Sequence, residues 1–305
     1  MKVLIATQKP FAAEAIRQIK EIVNKNGDTL IILEKYKNQQ EFIDAVKDVD
    51  ALIVRSDKVT KEILNNAQNL KIVVRAGAGY DNIDLKYATD KDIVVMNTPG
   101  QNANAVAELV LGMMIYMARN TFNGTPGTEL KGKILGIHAY GNVGKNVARI
   151  AKGFNMEVIA YDPYVSSEIV ERDGVKDFEN VNDMYQHAQY ISLHIPATPQ
   201  TIKSIDYNLL KNMPENAVLI NTARKEIINE EDLLKIMDER PDFKYISDIS
   251  PEHKAEFIKK FGDRVFFTPK KMGAQTAEAN INAGVAAIQQ IIHFFKNGDV
   301  TYKVN

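Results

Sequence analysis

The stretch 134-ILGIHAYGNVGKNVARIAKG-153 decides the fold. Residues 134–138 read as a short apolar strand that runs into Ala139-Tyr140-Gly141-Asn142-Val143-Gly144, and residues 145–152 then read as a helix. Strand, glycine turn and helix in that order cradle a pyrophosphate: backbone N–H groups at the helix N-terminus face the anion, and missing side chains let it approach. The next strand ends in Tyr161-Asp162, and the acid lies 162 − 144 = 18 residues past the last glycine. That is near the roughly 20 residues expected of a carboxylate that accepts ribose hydroxyls. An aspartate there points to NAD, because it would repel the extra phosphate of NADP. The pattern departs from a full glycine fingerprint at Ala139. A β-carbon costs roughly 1–2 kcal/mol if that residue must be left-handed, and little otherwise.

Outward from this turn, short β-branched runs alternate with amphipathic stretches. Residues 3–6, 30–33, 51–54, 71–75 and 93–97 form one series of predicted strands, and residues 134–138, 158–161, 190–195, 218–221, 245–248 and 265–267 form another. Near-continuous apolar runs between helical segments predict parallel sheets built from βαβ units. The longest predicted helices, 103–119 and 276–296, sit where one series ends. The expected fold is therefore α/β, with two Rossmann-like doubly wound parallel-sheet lobes and a cleft between them. The first lobe is discontinuous, residues 1–97 with 277–305, and the second covers 98–276. One continuous sheet is the alternative.

Composition narrows the function. The chain has 305 residues, 45% hydrophobic and 25% charged, with a formal net charge of −1. No overall field draws it to nucleic acid or to an anionic membrane. It contains no cysteine, which excludes disulfides, thiolate metal sites and cysteine nucleophiles. The five histidines, His138, His187, His194, His253 and His293, lack metal-ligand spacing, so no metal site is expected and all five read as structural. The N-terminal MKVLIATQKP is not a signal peptide, and no apolar run approaches the roughly 20 residues that span a bilayer. The expectation is a cytoplasmic protein acting on a small molecule.

Several segments in order, Val54-Arg55-Ser56-Asp57-Lys58, Arg75 to Asp84, Asn97-Thr98-Pro99, Ala105 to Glu108, Tyr161-Asp162-Pro163, His194-Ile195-Pro196, Asn221-Thr222-Ala223-Arg224 and Thr268-Pro269, together resemble the D-isomer-specific 2-hydroxyacid dehydrogenase family. The resemblance implies an NAD domain inserted in a substrate domain, a homodimer, and hydride exchange between a 2-hydroxy acid and NAD. It gives Arg224 the substrate carboxylate and C2 oxygen, which a guanidinium fork can hold together. It gives the loop Arg75, Gly77, Ala78 and Gly79 the same carboxylate. It places His194, Pro196, Thr201, Thr222, Ala223, Asp248 and Gly273 along the cofactor, beside the turn residues and Asp162. The family's acid/base histidine is missing from Thr268-Pro269-Lys270-Lys271-Met272-Gly273. Counting back from Gly273 puts Lys271 at its position and counting on from Pro269 puts Lys270 there; the glycine is the preferred anchor. A lysine-bearing subgroup of the family is similar in this respect. The orienting glutamate is represented by Glu252, one residue closer to Asp248 than usual. Arg55, Ser56 and Lys58, with Arg75 on the neighbouring strand end, match members whose substrate carries a phosphate at its other end. A reductase without a phosphate site, or an NAD-binding regulator on this fold, are the competing readings.

Overall fold

A computed structural model describes residues 1–305. The chain divides into two compact units, Met1–Asn102 with Gln275–Asn305, and Ala103–Ala274. In the first, β1 (Lys2–Thr7), β2 (Thr29–Glu34), β3 (Ala51–Val54), β4 (Ile72–Arg75) and β5 (Val94–Asn97) lie in the order β2-β1-β3-β4-β5. Every neighbouring pair is parallel. Successive strand residues point to opposite faces, and both faces of this sheet are covered. Val3 and Ile5 pack with α1 (Ala13–Lys25) and the C-terminal helix Ala277–Asn297. Leu4 and Ala6 pack with α2 (Gln39–Val46), α3 (Lys61–Asn66) and α4 (Leu85–Asp90) on the other side. The Thr276 hydroxyl starts the C-terminal helix by accepting a hydrogen bond from the Ala279 amide.

The second unit runs α5 (Ala103–Ala118), β6 (Ile134–His138), α6 (Asn142–Gly153), β7 (Glu157–Tyr161), α7 (Ser167–Arg172), β8 (Lys176–Asp177), α8 (Val181–His187) and β9 (Tyr190–Leu193). It continues through α9 (Tyr207–Leu210), β10 (Val218–Asn221), α10 (Glu230–Glu239), β11 (Lys244–Ser247), α11 (Lys254–Phe261) and β12 (Val265–Phe267). Its seven strands are ordered β12-β11-β10-β9-β6-β7-β8, and all pairs are parallel. Strand order reverses at β6, so the crevice outside the carboxyl ends of β6 and β9 is where ligands bind in such sheets. Leu135 and Ile137 face α5 and α6, whereas a β-carbon on Gly136 would meet Ala188 and Met184 of the α8 side. No helix is long and apolar enough to cross a membrane.

Three local features differ from the sequence reading. The second strand is apolar, yet Ile31 and Ile32 are 36% and 42% exposed, because β2 is a sheet edge. The two-residue β8 at the opposite sheet's edge is too short to carry a pattern. Helix α6 begins at Asn142, because the turn itself supplies the first helical residues. Ala139 adopts φ +81°, so the fingerprint's missing glycine leaves a β-carbon in the left-handed region. Ala139→Gly should therefore stabilise the second unit by about 1 kcal/mol. A thermal melt should rise by about 2–4 °C for a unit of this size, and an unchanged or lower midpoint would show that the turn carries no strain.

Candidate active site

The turn between β6 and α6 is fixed from both ends. The Tyr140 amide donates to Asp162 Oδ2 at 2.8 Å, and the Tyr164 amide donates to Oδ1 at 2.9 Å. Each carboxylate oxygen keeps a lone pair for a ribose hydroxyl. The first helical hydrogen bond runs from the Lys145 amide to the Gly141 carbonyl at 2.9 Å. The amides of Asn142, Val143 and Gly144 precede that ladder and are placed to meet an anion. The two glycines serve different ends. A β-carbon on Gly144 would come within 2.5 Å of the Ala139 carbonyl oxygen, whereas one on Gly141 would meet nothing within 4 Å. Gly144 lets helix and strand close together, and Gly141 leaves open the space a pyrophosphate needs. The Thr222 hydroxyl is buried without a protein partner, which also suits a bound ligand. These residues fit a dinucleotide. Tyr140 contributes only its backbone, since its ring is fully buried and its hydroxyl reaches Asp173 at 3.3 Å. Thr201 closes a turn through the Pro196 carbonyl and the Thr198 amide, and Pro196 is exposed.

At the carboxyl ends of β10, β11 and β12 two cations meet. Arg224 Nη1 donates to the Ala223 carbonyl at 2.9 Å, and Lys271 Nζ donates to the same oxygen at 3.4 Å. Of the two adjacent lysines, it is Lys271 whose ammonium meets the Arg224 turn. Lys270 has an exposed side chain and offers its carbonyl to Thr268 Oγ1 at 3.0 Å. Buried Asp248 pins this loop: its carboxylate accepts from Thr268 Oγ1, the Met272 amide and the Gly273 amide, each at 2.8 Å. Gly273 packs so closely that a β-carbon would sit 3.0 Å from Asp248 Oδ2. Glu252 is on the surface, with its side chain 69% exposed and paired to Lys225 Nζ at 2.8 Å. That cation, through its hydrogen bond, holds the Glu252 carboxyl below its usual range. Sequence reading gave Asn221 no role, yet an asparagine at a strand end commonly bonds the backbone two residues on.

In the first unit, polar residues collect at the carboxyl ends of β1, β3 and β4. Arg55, assigned to a ligand by the sequence reading, serves here as a strut. Its Nη1 donates to the Lys9 and Pro10 carbonyls at 2.9 and 2.8 Å, its Nη2 to the Asn280 side chain, and its guanidinium lies over the Phe11 ring. Arg75 Nε donates to the Arg55 carbonyl at 3.0 Å, and its guanidinium covers Gly77, whose φ of +147° only glycine holds comfortably. The carbonyls of Gly77 and Ala78 are tied to the Thr98 amide and Asn97 Nδ2, at 3.0 and 2.6 Å, so the amide side of the loop is the one presented to a ligand. Gly79 is half-buried, and Ser56 and Lys58 are exposed. Lys9, which the sequence reading missed, adds an exposed cation to this edge.

Fold and turn together define a dinucleotide-binding α/β protein. Residues 111–269 match the model of the D-isomer specific 2-hydroxyacid dehydrogenase NAD binding domain. The chain belongs to the D-isomer-specific 2-hydroxyacid dehydrogenase family, and its second unit carries that family's NAD-binding domain. It is 34% identical to D-3-phosphoglycerate dehydrogenase of Methanocaldococcus jannaschii, over 95% of this chain and 57% of that protein. It is equally 34% identical to hydroxypyruvate reductase of Thermotoga maritima, over 87% of this chain and 91% of that one. The chain thus spans little more than half the length of the first of these relatives. The crystal structure of cofactor (NAD+)-bound 3-phosphoglycerate dehydrogenase from Entamoeba histolytica superimposes with a TM-score of 0.89 at 48% identity, covering 100% of this chain and 98% of that one.

Two histidines floor the crevice of the second unit. His138 Nδ1 meets the Tyr185 hydroxyl at 3.1 Å, His194 Nε2 meets Ser192 Oγ at 2.9 Å, and the His194 amide donates to the His138 carbonyl. Burial pushes His138 down to about 4 against the pull of Asp162. Burial and then the neighbouring His138 push His194 down to about 3. Both stay neutral at physiological pH. The unfolded chain takes up these protons below about 6.5 while the folded one does not, so stability is lost as pH falls from there toward 4, by up to about 1.4 kcal/mol per pH unit for each histidine. Urea midpoints should be clearly lower at pH 5 than at pH 7, and His138→Gln should shrink that gap. Equal midpoints in the wild type would contradict the burial of these rings.

Proposed function

We propose that this chain is an NAD-dependent D-3-phosphoglycerate dehydrogenase. The observation that carries the reading is the meeting of Arg224 and Lys271 on one carbonyl oxygen, within a unit built to hold NAD. When bound, the nicotinamide supplies the acceptor for the hydride that leaves C2. Arg224 holds the substrate carboxylate and the C2 oxygen, its planar fork suiting both at once. Lys271, in its amine form, takes the hydroxyl proton as the C2 oxygen becomes a carbonyl. In the reverse direction the ammonium returns that proton.

The strand ends of the first unit, taken by themselves, carry groups suited to a phosphorylated anion. Arg75, Lys58, Lys9 and Ser56 at the strand ends, and the amides of Gly77, Ala78 and Gly79, supply the cations and donors a phosphorylated acid requires. Arg55 stands among them, held by the Lys9 and Pro10 carbonyls. The name of the Entamoeba histolytica structure and the 48% identity to it support this choice of substrate. A second reading, hydroxypyruvate reduction, is supported by the match to 91% of the Thermotoga maritima protein. A homodimer completes the proposal, in keeping with Phe122, 65% exposed on a left-handed turn after α5.

NADH formation with D-3-phosphoglycerate and with D-glycerate separates these readings. The proposal expects kcat/KM to favour the phosphate ester by about tenfold or more, the worth of one charge-assisted bond. Preference for the unphosphorylated acid would establish the second reading in its place. Lys271→Ala should keep NADH affinity within a few-fold and lose roughly 10²–10⁴ in turnover, while Lys270→Ala stays near wild type. The opposite pattern would move the acid/base to Lys270.

A further inference from the structure

Asn221 ends β10 with a fully buried side chain, in a place where any polar atom must find partners. It finds them in the turn that follows. Its Oδ1 accepts from the Ala223 amide at 2.9 Å, and its Nδ2 donates to the Arg224 carbonyl at 2.9 Å. One side chain therefore fixes the peptide groups on both sides of the Ala223–Arg224 step, and with them the Ala223 carbonyl on which Arg224 and Lys271 meet. Its backbone reaches the other cation. The Asn221 carbonyl accepts from the Asp248 amide at 3.0 Å and from Ser247 Oγ at 2.9 Å. Asp248 in turn holds the backbone that follows Lys271 directly, through the Met272 and Gly273 amides.

We propose that Asn221 is a positioning residue that sets the Arg224 guanidinium and the Lys271 ammonium at a fixed spacing. The assignment rests on the dehydrogenase reading above. Asn221 touches neither the substrate nor the cofactor in this account, and no other side chain is bonded to both ends of the arginine turn. Two cations sharing one acceptor repel each other, so without a clamp the turn would relax and let them part. A carboxylate and a reacting hydroxyl would then be held by groups displaced from their working geometry. A misplacement of about 1 Å is enough to cost roughly 10²-fold in rate.

Asn221→Ala removes both side-chain bonds, and Asn221→Ser can restore one, the hydroxyl accepting from the Ala223 amide in a tighter turn. In steady-state oxidation of D-3-phosphoglycerate the Ala variant should lose about 10²-fold in kcat/KM, with a raised KM. Its NADH affinity, read by nucleotide fluorescence, should stay within about threefold of wild type, and the Ser variant should recover part of the lost rate. Amide exchange at Ala223 should be about tenfold or more faster in the Ala variant than in wild type. A residue that only stabilised the fold would instead lower NADH affinity and turnover together, with no rescue by serine, and that result overturns the assignment. Wild-type kcat, KM and Ala223 exchange in a folded Ala variant overturn it as well. If the wild type itself oxidises no 2-hydroxy acid, the dehydrogenase reading fails and this assignment falls with it, an outcome distinct from an active wild type with an unaffected variant.

Discussion

Parallel strands bring all their carboxyl ends to one edge of a sheet, and that constraint organises both units. In the second, the edge collects the dinucleotide turn after β6, Asp162 after β7, His194 after β9, Arg224 after β10, Asp248 after β11 and Lys271 after β12. In the first it collects Lys9 after β1, the Arg55 to Lys58 turn after β3, and Arg75 at the end of β4. The strands are buried on both faces and cannot shift register without exposing a core, so the loops they carry inherit a fixed spacing. Chemistry in this fold is a property of strand ends.

Several cations at those ends lie against backbone carbonyls. Arg224 and Lys271 share the Ala223 carbonyl, Arg55 rests on the Lys9 and Pro10 carbonyls, and Arg75 rests on the Arg55 carbonyl. A backbone carbonyl that accepts from a cation fixes where that cation points. The acids nearby are used differently. Asp248 and Asp162 have their oxygens on backbone amides and a threonine hydroxyl, so they shape loops. The histidines beneath stay neutral and add no charge of their own.

What the sequence showed in advance was what chain neighbours determine. The glycine turn, the acid 18 residues beyond it and the run of buried strands are local patterns, and the parallel sheets follow from them. The cost of Ala139 was readable only as a condition, because its backbone angle depends on how β6 meets α6. The contacts of Arg55 could not be read in advance, since its partners Lys9, Pro10 and Asn280 lie 46, 45 and 225 residues away. The contact that sets Lys271 apart from Lys270 is with a carbonyl 48 residues distant. Asn221 stood in view within a recognised motif, but its worth lies in hydrogen bonds that a motif does not display.

The central claim is that Arg224 and Lys271 act on a hydroxyl-bearing carbon beside NAD. Transfer of the C2 hydrogen tests it most directly. With D-3-phosphoglycerate deuterated at C2 and unlabelled NAD+, the account predicts NADH carrying one deuterium on the nicotinamide ring, detected by mass spectrometry, and formed far more slowly by Lys271→Ala. NADH without deuterium, or no NADH at any pH, would contradict it.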